Sequence, residues 1–250
     1  LGSRGLGDVY KRQIKDNEIT ILGKDVKHIA NVLRLKKEDE IQICNLDTKM
    51  NYIANINEID KKYVKCKIKK IENTDSETQV NITLYQGLPK ADKMEYIIQK
   101  NVELGVKKII PVEMERSIVK FDQKTVEKKI ERWQKISEVA SKQSGRDIIP
   151  KIEIPTNIKK ICENINEYDI VLVAYENEED NTLKTELQKI KRTDNLKIAI
   201  IIGPEGGIDK KEILQLKEVG AKTITLGQRI LRTETASIVV ISNIIYELEM

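Results

Sequence analysis

The stretch "LKIAIIIGPEGGIDKKE" (residues 196–212) runs from a segment apolar but for Lys197 through three glycines and a proline into charge. The apolar part, 196–203, has the length of one strand and is too short for an ordinary helix. Because it does not alternate, it reads as a strand covered on both faces, as in a parallel sheet. After the turn, "DKKEILQLKEVG" (209–220) reads as a helix, with Asp209 as its cap, Glu212 completing a capping box and Gly220 at its C-terminal end. Strand, glycine turn and capped helix in that order put residues 203–207 at the carboxyl edge of a sheet, where α/β folds gather ligands. Two readings of the glycines stand side by side. Either they let bare backbone approach a ligand closely, or they only make a tight strand-to-helix turn. The spacing is not GxGxxG and lacks the Lys-Ser/Thr of a P-loop, which disfavours a dinucleotide or ATP.

Outward from this stretch the alternation continues. Strands are expected at 80–88, 107–114, 168–176 and 222–227, and helices at 90–106, 123–143, 182–190 and 235–249. Strands separated by helices predict an α/β domain over residues 80–250, with a mostly parallel sheet covered on both faces. Residues 14–72 differ. "EIQIC" (40–44) and "YVKCKIKKI" (63–71) alternate as half-buried strands, and "KDVKHIANVLRL" (24–35) carries Val26, Ile29, Ala30 and Leu33 on one helical stripe. This region predicts a small β-rich domain with one helix. Residues 73–79 are polar and aperiodic and read as a linker. Residues 1–13, "LGSRGLGDVYKRQ", begin without Met, lack an apolar segment and read as a non-native tail.

Composition narrows the function classes. A chain of 250 residues, 40% hydrophobic, suffices for one large domain or two small ones. It contains no apolar run long enough to span a membrane. Cys44, Cys66 and Cys162 form no CxxC pair and His28 is the only histidine, so no metal is expected, and the cysteines read as reduced thiols of a cytoplasmic protein. His28 is expected to be partly buried and satisfied rather than catalytic. Trp133, at helical spacing from Ile130 and Ile136, is expected in the core. Net charge is only +4, but 44 basic residues permit a broad positive face suited to a polyanion. Only nine of them are arginine, so each arginine points to a place that wants a planar fork.

A second loop follows the next expected strand. In "LGQRILRTETAS" (226–237), Gly227 permits a turn, and Arg229, Arg232, Thr233, Glu234 and Thr235 crowd a short connection into a very apolar helix. Thr233 or Thr235 fits the N-cap of that helix, and Glu234 suits its N-terminal dipole. "VAYE" (173–176) ends another strand, so three strand ends offer loops to one pocket.

GPEGG followed by LGQRILRTETA resembles the C-terminal signature of the SPOUT superfamily of methyltransferases. With "HIANVLRLKKEDEI" (28–41), "QKNVELGVKKIIPV" (99–112) and "ASKQSGRDIIP" (140–150), the chain resembles the 16S ribosomal RNA uridine-N3 methyltransferases, the small subunit methyltransferase E family, over nearly all of residues 18–250. That family begins with an arginine-bearing strand where this chain has residues 1–13. The resemblance implies a PUA-like barrel that grips RNA and a SPOUT domain that binds S-adenosylmethionine, its C-terminal chain threaded as a trefoil knot. It also implies a homodimer acting on the small ribosomal subunit without metal.

On that reading Arg232 stabilises charge on the target base, and Glu234 is a candidate base or base-positioner, with helix capping an equal alternative. The cofactor is expected against Gly203, Gly206, Leu226, Gly227, Ile230 and Leu231, above Leu172 and Ala174. Glu205 either touches its ribose or amine or stands exposed beside the turn. RNA contacts are expected from Arg34, Arg116, Gln143, Ser144 and Arg146, the last three alternatively forming an ordinary helix end. Lys65, Lys67 and Lys69 line one strand face that either meets RNA or is simply solvated. A non-catalytic RNA-binding protein, or a SPOUT enzyme acting on transfer RNA or a ribose hydroxyl, are the competing readings.

Overall fold

The computed structural model describes residues 14–15, 17–45, 50–73, 77–120, 123–191 and 193–249. The expected non-native tail and residues 74–76 of the expected linker lie outside them. The chain forms two compact units, one made of the described residues up to Glu77 together with Ser141–Ile148, the other of Thr78–Ala140 and the residues from Ile149 on.

Among its described residues the first unit forms a five-stranded antiparallel sheet. Its strands β1 (Ile14–Lys15), β2 (Glu18–Leu22), β3 (Glu40–Asn45), β4 (Met50–Ile59) and β5 (Tyr63–Asn73) pair in the order β1-β2-β5-β4-β3. Alternation decides which face is core: Val64, Cys66 and Ile68 are buried, against Ile19, Ile21, Ile41, Ile43 and Ile56. Two register shifts between β4 and β5 bend this pair. On the lysine face Lys65 lies 3.5 Å from Glu58 and Lys69 3.1 Å from Glu40, so its charge is partly neutralised.

The helix expected at 24–35 is shorter and irregular. A single α turn, α1 (Lys24–Lys27), opens into a π turn over His28–Val32, and Arg34 stops it in the left-handed region at φ 54°. Val26 and Ile29 are buried as expected, whereas Ala30 and Leu33 are only partly covered. His28 is exposed, which corrects the expectation of a partly buried histidine. Glu77, expected in the linker, instead accepts two bonds from the Arg146 guanidinium, at 2.6 and 3.1 Å.

The second unit is a parallel sheet. Its strands are β6 (Asn81–Gly87), β7 (Lys108–Glu113), β8 (Lys151–Ile152), β9 (Thr156–Asn157), β10 (Ile170–Ala174), β11 (Lys197–Ile202) and β12 (Lys222–Ile224). They run in the order β12-β10-β11-β6-β7-β8, with β9 also on β7. The uninterrupted apolar run of β11 sits near the middle, buried along its length after Lys197. One face, with Ile82, Leu84, Ile198 and Ile200, packs on α2 (Lys93–Glu103), α3 (Gln123–Ser144) and α7 (Thr233–Glu249), with Trp133 and Leu187 of α5 (Leu183–Gln188) in the same core. The other face, with Val171, Val173, Ala199 and Ile201, packs on α4 (Ile158–Glu163) and α6 (Lys210–Glu218). Residues 151–167, which hold β8, β9 and α4, carry too few residues per element to show a period in sequence. The helix expected at 90–106 begins later because Ala91 turns at φ 52°, and it ends at Gly105, φ 104°.

Two ties, one buried and one partly buried, fix α7. Asn101 Nδ2 of α2 donates to Ser237 Oγ at 3.0 Å. At the far end, Glu249 Oε1 accepts the Val80 N–H at 2.8 Å, just before β6.

Candidate active site

β10, β11 and β12 are adjacent and parallel, so their carboxyl ends open together. Ala174–Glu176 follow β10, Gly203–Ile208 follow β11 and Thr225–Arg232 follow β12, and these segments line a single cavity of about 530 Å³. Lys93 of α2 and Ala236 of α7 complete its wall. Its floor is apolar, with Ile202, Leu226 and Leu231 beside exposed backbone of the two glycine turns. A volume of that size suits one small organic molecule.

The sequence-derived candidates largely converge here. Ala174, Gly203, Glu205, Gly206, Leu226, Gly227, Ile230, Leu231 and Arg232 all line the cavity. Leu172 does not, and its expected role is corrected. It lies two residues deeper on β10, fully buried in the core, on the same strand face as Ala174 but below it. Tyr175, Glu176, Gln228, Arg229 and Lys93 line the cavity as well. Lys93 was invisible in sequence because it lies 110 residues before the turn it meets; the charge of its helix start was the only signal.

The glycine turn answers to the protein's own packing. At Gly207 the backbone is left-handed, φ 71°, and a Cβ would overlap the Glu176 carboxylate. A Cβ on Gly203 would lie 2.9 Å from Ile208 Cγ1. The turn is therefore folded against itself and against the β10 loop, and its carbonyls and amides are held in place before any ligand arrives.

Arg116, expected on RNA, braces this turn. Its Nη1 donates to the Gly206 carbonyl at 3.1 Å and its Nη2 to Asp209 Oδ2 at 3.3 Å. Asp209 and Glu212 form the expected capping box of α6. The Lys211 N–H, outweighing a burial effect of opposite sign and helped by Arg116, holds the Asp209 carboxyl below the usual range.

Thr233 joins both turns. Its hydroxyl donates to the Gly203 carbonyl at 2.6 Å and accepts from Nε2 of the buried Gln86 at 2.8 Å. The N-cap expectation for Thr233 or Thr235 is corrected: α7 starts at Thr233, and the Arg232 carbonyl receives the Ala236 N–H at 2.8 Å, so Arg232 holds the cap position. The Arg232 side chain is exposed at the cavity and has no hydrogen-bond or ion-pair partner among the described residues. Glu234, in the first turn of α7, is largely covered. Its Oε2 is buried without a hydrogen bond among the described residues, and the Lys93 ammonium lies 3.5 Å away.

Glu205 is not a free residue beside the turn. Lys93 Nζ lies 3.0 Å from its Oε1, and the Lys90 N–H donates to it at 3.1 Å. Burial alone would raise the Glu205 carboxyl, but its own backbone, Lys93 and Lys90 outweigh burial and hold it low. Reciprocally, the bond to Glu205 raises the Lys93 ammonium against a smaller effect of burial, and Glu234 adds to the rise.

The other RNA candidates lie outside this cavity. Arg34 and Gln143 are exposed; the Ser144 hydroxyl turns back to the Ser141 carbonyl at 3.4 Å. Arg146 corrects its expectation: only 4% exposed, it is committed to Glu77 and so is a structural ion pair rather than an open RNA contact. Among the described residues no cluster of histidine, cysteine, aspartate or glutamate could hold a metal, and no helix is long and apolar enough to cross a membrane.

Residues 76–245 match the RNA methyltransferase domain, and residues 21–69 the RNA methyltransferase PUA domain. The ribosomal RNA small subunit methyltransferase E of Bacillus subtilis is 34% identical over 97% of this chain and 96% of its own. The chain belongs to the ribosomal RNA small subunit methyltransferase E family. Its counterpart of that name from Buchnera aphidicola of Acyrthosiphon pisum is 37% identical over 90% of this chain and 87% of its own. A crystal structure of the Neisseria gonorrhoeae methyltransferase E bound to S-adenosyl methionine superposes with a TM-score of 0.81, at 30% identity over 96% of this chain and 97% of that one.

Proposed function

We propose that the chain is an S-adenosylmethionine-dependent methyltransferase that modifies N3 of one uridine in 16S ribosomal RNA of the small subunit. The observation that carries the proposal is the single cavity shared by the Gly203–Gly207 and Leu226–Arg232 turns, with the Arg232 guanidinium, unpaired among the described residues, at its side.

The residues present fit the cofactor. Leu226, Leu231, Ile202 and Ala174 offer apolar walls, and the glycine turns offer backbone donors and acceptors, the combination that suits an adenine ring. Glu205 and Glu176 offer anionic groups to a cationic ligand. When bound, the cofactor supplies a methyl group activated by a positively charged sulfur. The chain's part is then to align the uridine and manage the N3 proton. Loss of that proton spreads negative charge over N3, O2 and O4. Arg232 stabilises it through a guanidinium that has no competing partner among the described residues. Glu234 accepts the proton or positions the group that does.

Residues 14–72 serve as the RNA-gripping domain, with Arg34 among its contacts, and residues 80–250 as the catalytic domain, with Gln143 and Ser144 adding RNA contacts. The trefoil threading is supported by the path of the chain, which leaves β12 at the sheet edge, passes the Gly203–Gly207 turn and packs α7 against α2, β11 and β6. A homodimer is supported by α7, whose outward side carries Ile238, Val239 and an exposed Tyr246. The substrate places the protein in the cytoplasm.

The test is methyl transfer from tritiated cofactor to small subunits lacking the modification, followed by mass mapping of the labelled nucleotide. Label at uridine N3 is expected. Label on a ribose or another base overturns the proposal.

A further inference from the structure

Lys93 is the first residue of α2, where a positive charge opposes the helix dipole. A local choice that runs against its own element marks a place where something else is being served. Two carboxylates from separate elements meet this ammonium. Glu205, on the turn after β11, lies 3.0 Å away, and Glu234, on the first turn of α7, lies 3.5 Å away. The geometry is unequal. Glu205 has a second donor in the Lys90 N–H, whereas among the described residues Glu234 Oε2 is buried with no hydrogen bond and has Lys93 as its counter-charge. A buried carboxylate oxygen without such a partner is strongly unfavourable. The ammonium thus makes an anion tolerable at the base of α7, and it fixes how far that anion stands from the glycine turn.

We infer that Lys93 is a positioning residue for methyl transfer, holding Glu205 and Glu234 together across the cleft and so tying the cofactor turn to the start of α7. This rests on the reading of the cleft as a methyl-transfer site. A ligand whose cationic group engages Glu205 loosens that carboxylate's hold on Lys93 and shifts the ammonium toward Glu234, so occupancy of the turn is transmitted to the reacting end. Lys93 is one-third exposed, so its replacement leaves the core intact.

The experiment compares wild type, Lys93→Met and Lys93→Arg on unmodified small subunits, with cofactor affinity measured by calorimetry. Lys93→Met should lower kcat by about 30-fold while KM and Kd for the cofactor stay within about three-fold, and Lys93→Arg should recover most of the loss. Lys93→Met with kcat within about two-fold of wild type overturns the inference. A Lys93→Arg protein as slow as Lys93→Met overturns it too, because shape rather than charge would then be at stake. A second arm needs neither RNA nor turnover: acetic anhydride labelling of the free chain, read by mass spectrometry. Lys93 should react more slowly than the exposed Lys210, and Glu234→Gln should speed it several-fold; indifference to Glu234→Gln overturns the shared ammonium. If wild type methylates no small subunit, the methyl-transfer reading fails, and the labelling arm still decides whether Lys93 joins the two carboxylates.

Discussion

Thr233 at the start of α7 donates its hydroxyl hydrogen to the carbonyl of Gly203 at 2.6 Å, joining the helix that follows one turn of the cleft to the backbone of the other. The two turns are 30 residues apart in sequence, yet this one bond, backed by Gln86, fixes their spacing.

Thr233→Val keeps the shape and removes both hydrogen bonds. It should destabilise the chain by about 1–3 kcal/mol, the cost of unsatisfied buried groups. Cofactor affinity should fall as well, because the turns lose their common anchor. Urea unfolding and calorimetric titration on the same preparation measure the two effects.

Arg232→Ala removes a side chain that no described residue holds, so stability should change by less than about 0.5 kcal/mol. Methyl transfer should fall by about 100-fold or more, in line with the loss of one charge-stabilising donor. Cofactor Kd should stay within a few-fold, and a single-turnover assay separates the two quantities.

Gly207→Ala meets two obstacles, a left-handed backbone and the Glu176 carboxylate. The backbone part costs about 1–2 kcal/mol. Adding Glu176→Ala should relieve the overlap but not the backbone strain, so the double variant should melt between wild type and Gly207→Ala. Differential scanning calorimetry of the three proteins reads this order.

Arg146→Met should act on folding rather than on RNA. It leaves Glu77 with backbone donors from Asp147 and Ile148 but without its guanidinium, a loss of about 3 kcal/mol for a largely covered pair. RNA affinity of the folded fraction should be unchanged in a filter-binding assay, whereas Arg34→Ala should weaken it.

The lowered Asp209 carboxyl gives a pH signature. A group depressed on folding takes up its proton more readily in the unfolded chain, so its stabilisation is complete above the usual carboxylate value, about pH 4, and is lost as pH falls through the lower folded value. Asp209→Asn should therefore flatten the acid side of the stability curve. Urea midpoints at pH 6 and pH 3 test it: wild type should drop more than the variant.

Long apolar runs and a complete capping box made the catalytic sheet readable in sequence: β10, β11 and α6 lie within two residues of expectation. Local signals also identified both glycine turns, because Gly and charged residues punctuate strand ends. What stayed hidden was set by partners distant in the chain. Lys93 and Gln86 gain their roles from residues more than 100 positions away. Arg146 looked like a helix-end cation until Glu77 appeared beside it. The glycines at 203 and 207 looked like room for a ligand, and the neighbour that excludes their side chains is the chain itself. The π turn after α1 has no pattern of its own, since its inward residue Ile29, following Val26 of α1, suits an α-helix equally well.

The bond from Val80 to Glu249 spans 169 positions and stitches the opening of the central strand to the last turn of α7. Contacts of such range form late, because a long loop must close before they repay its entropy. During translation the glycine turn at 203 emerges well before the residue that secures α7. A nascent chain stopped short of Glu249 should accordingly capture little cofactor, so competence waits until α7 has been made to its last turn.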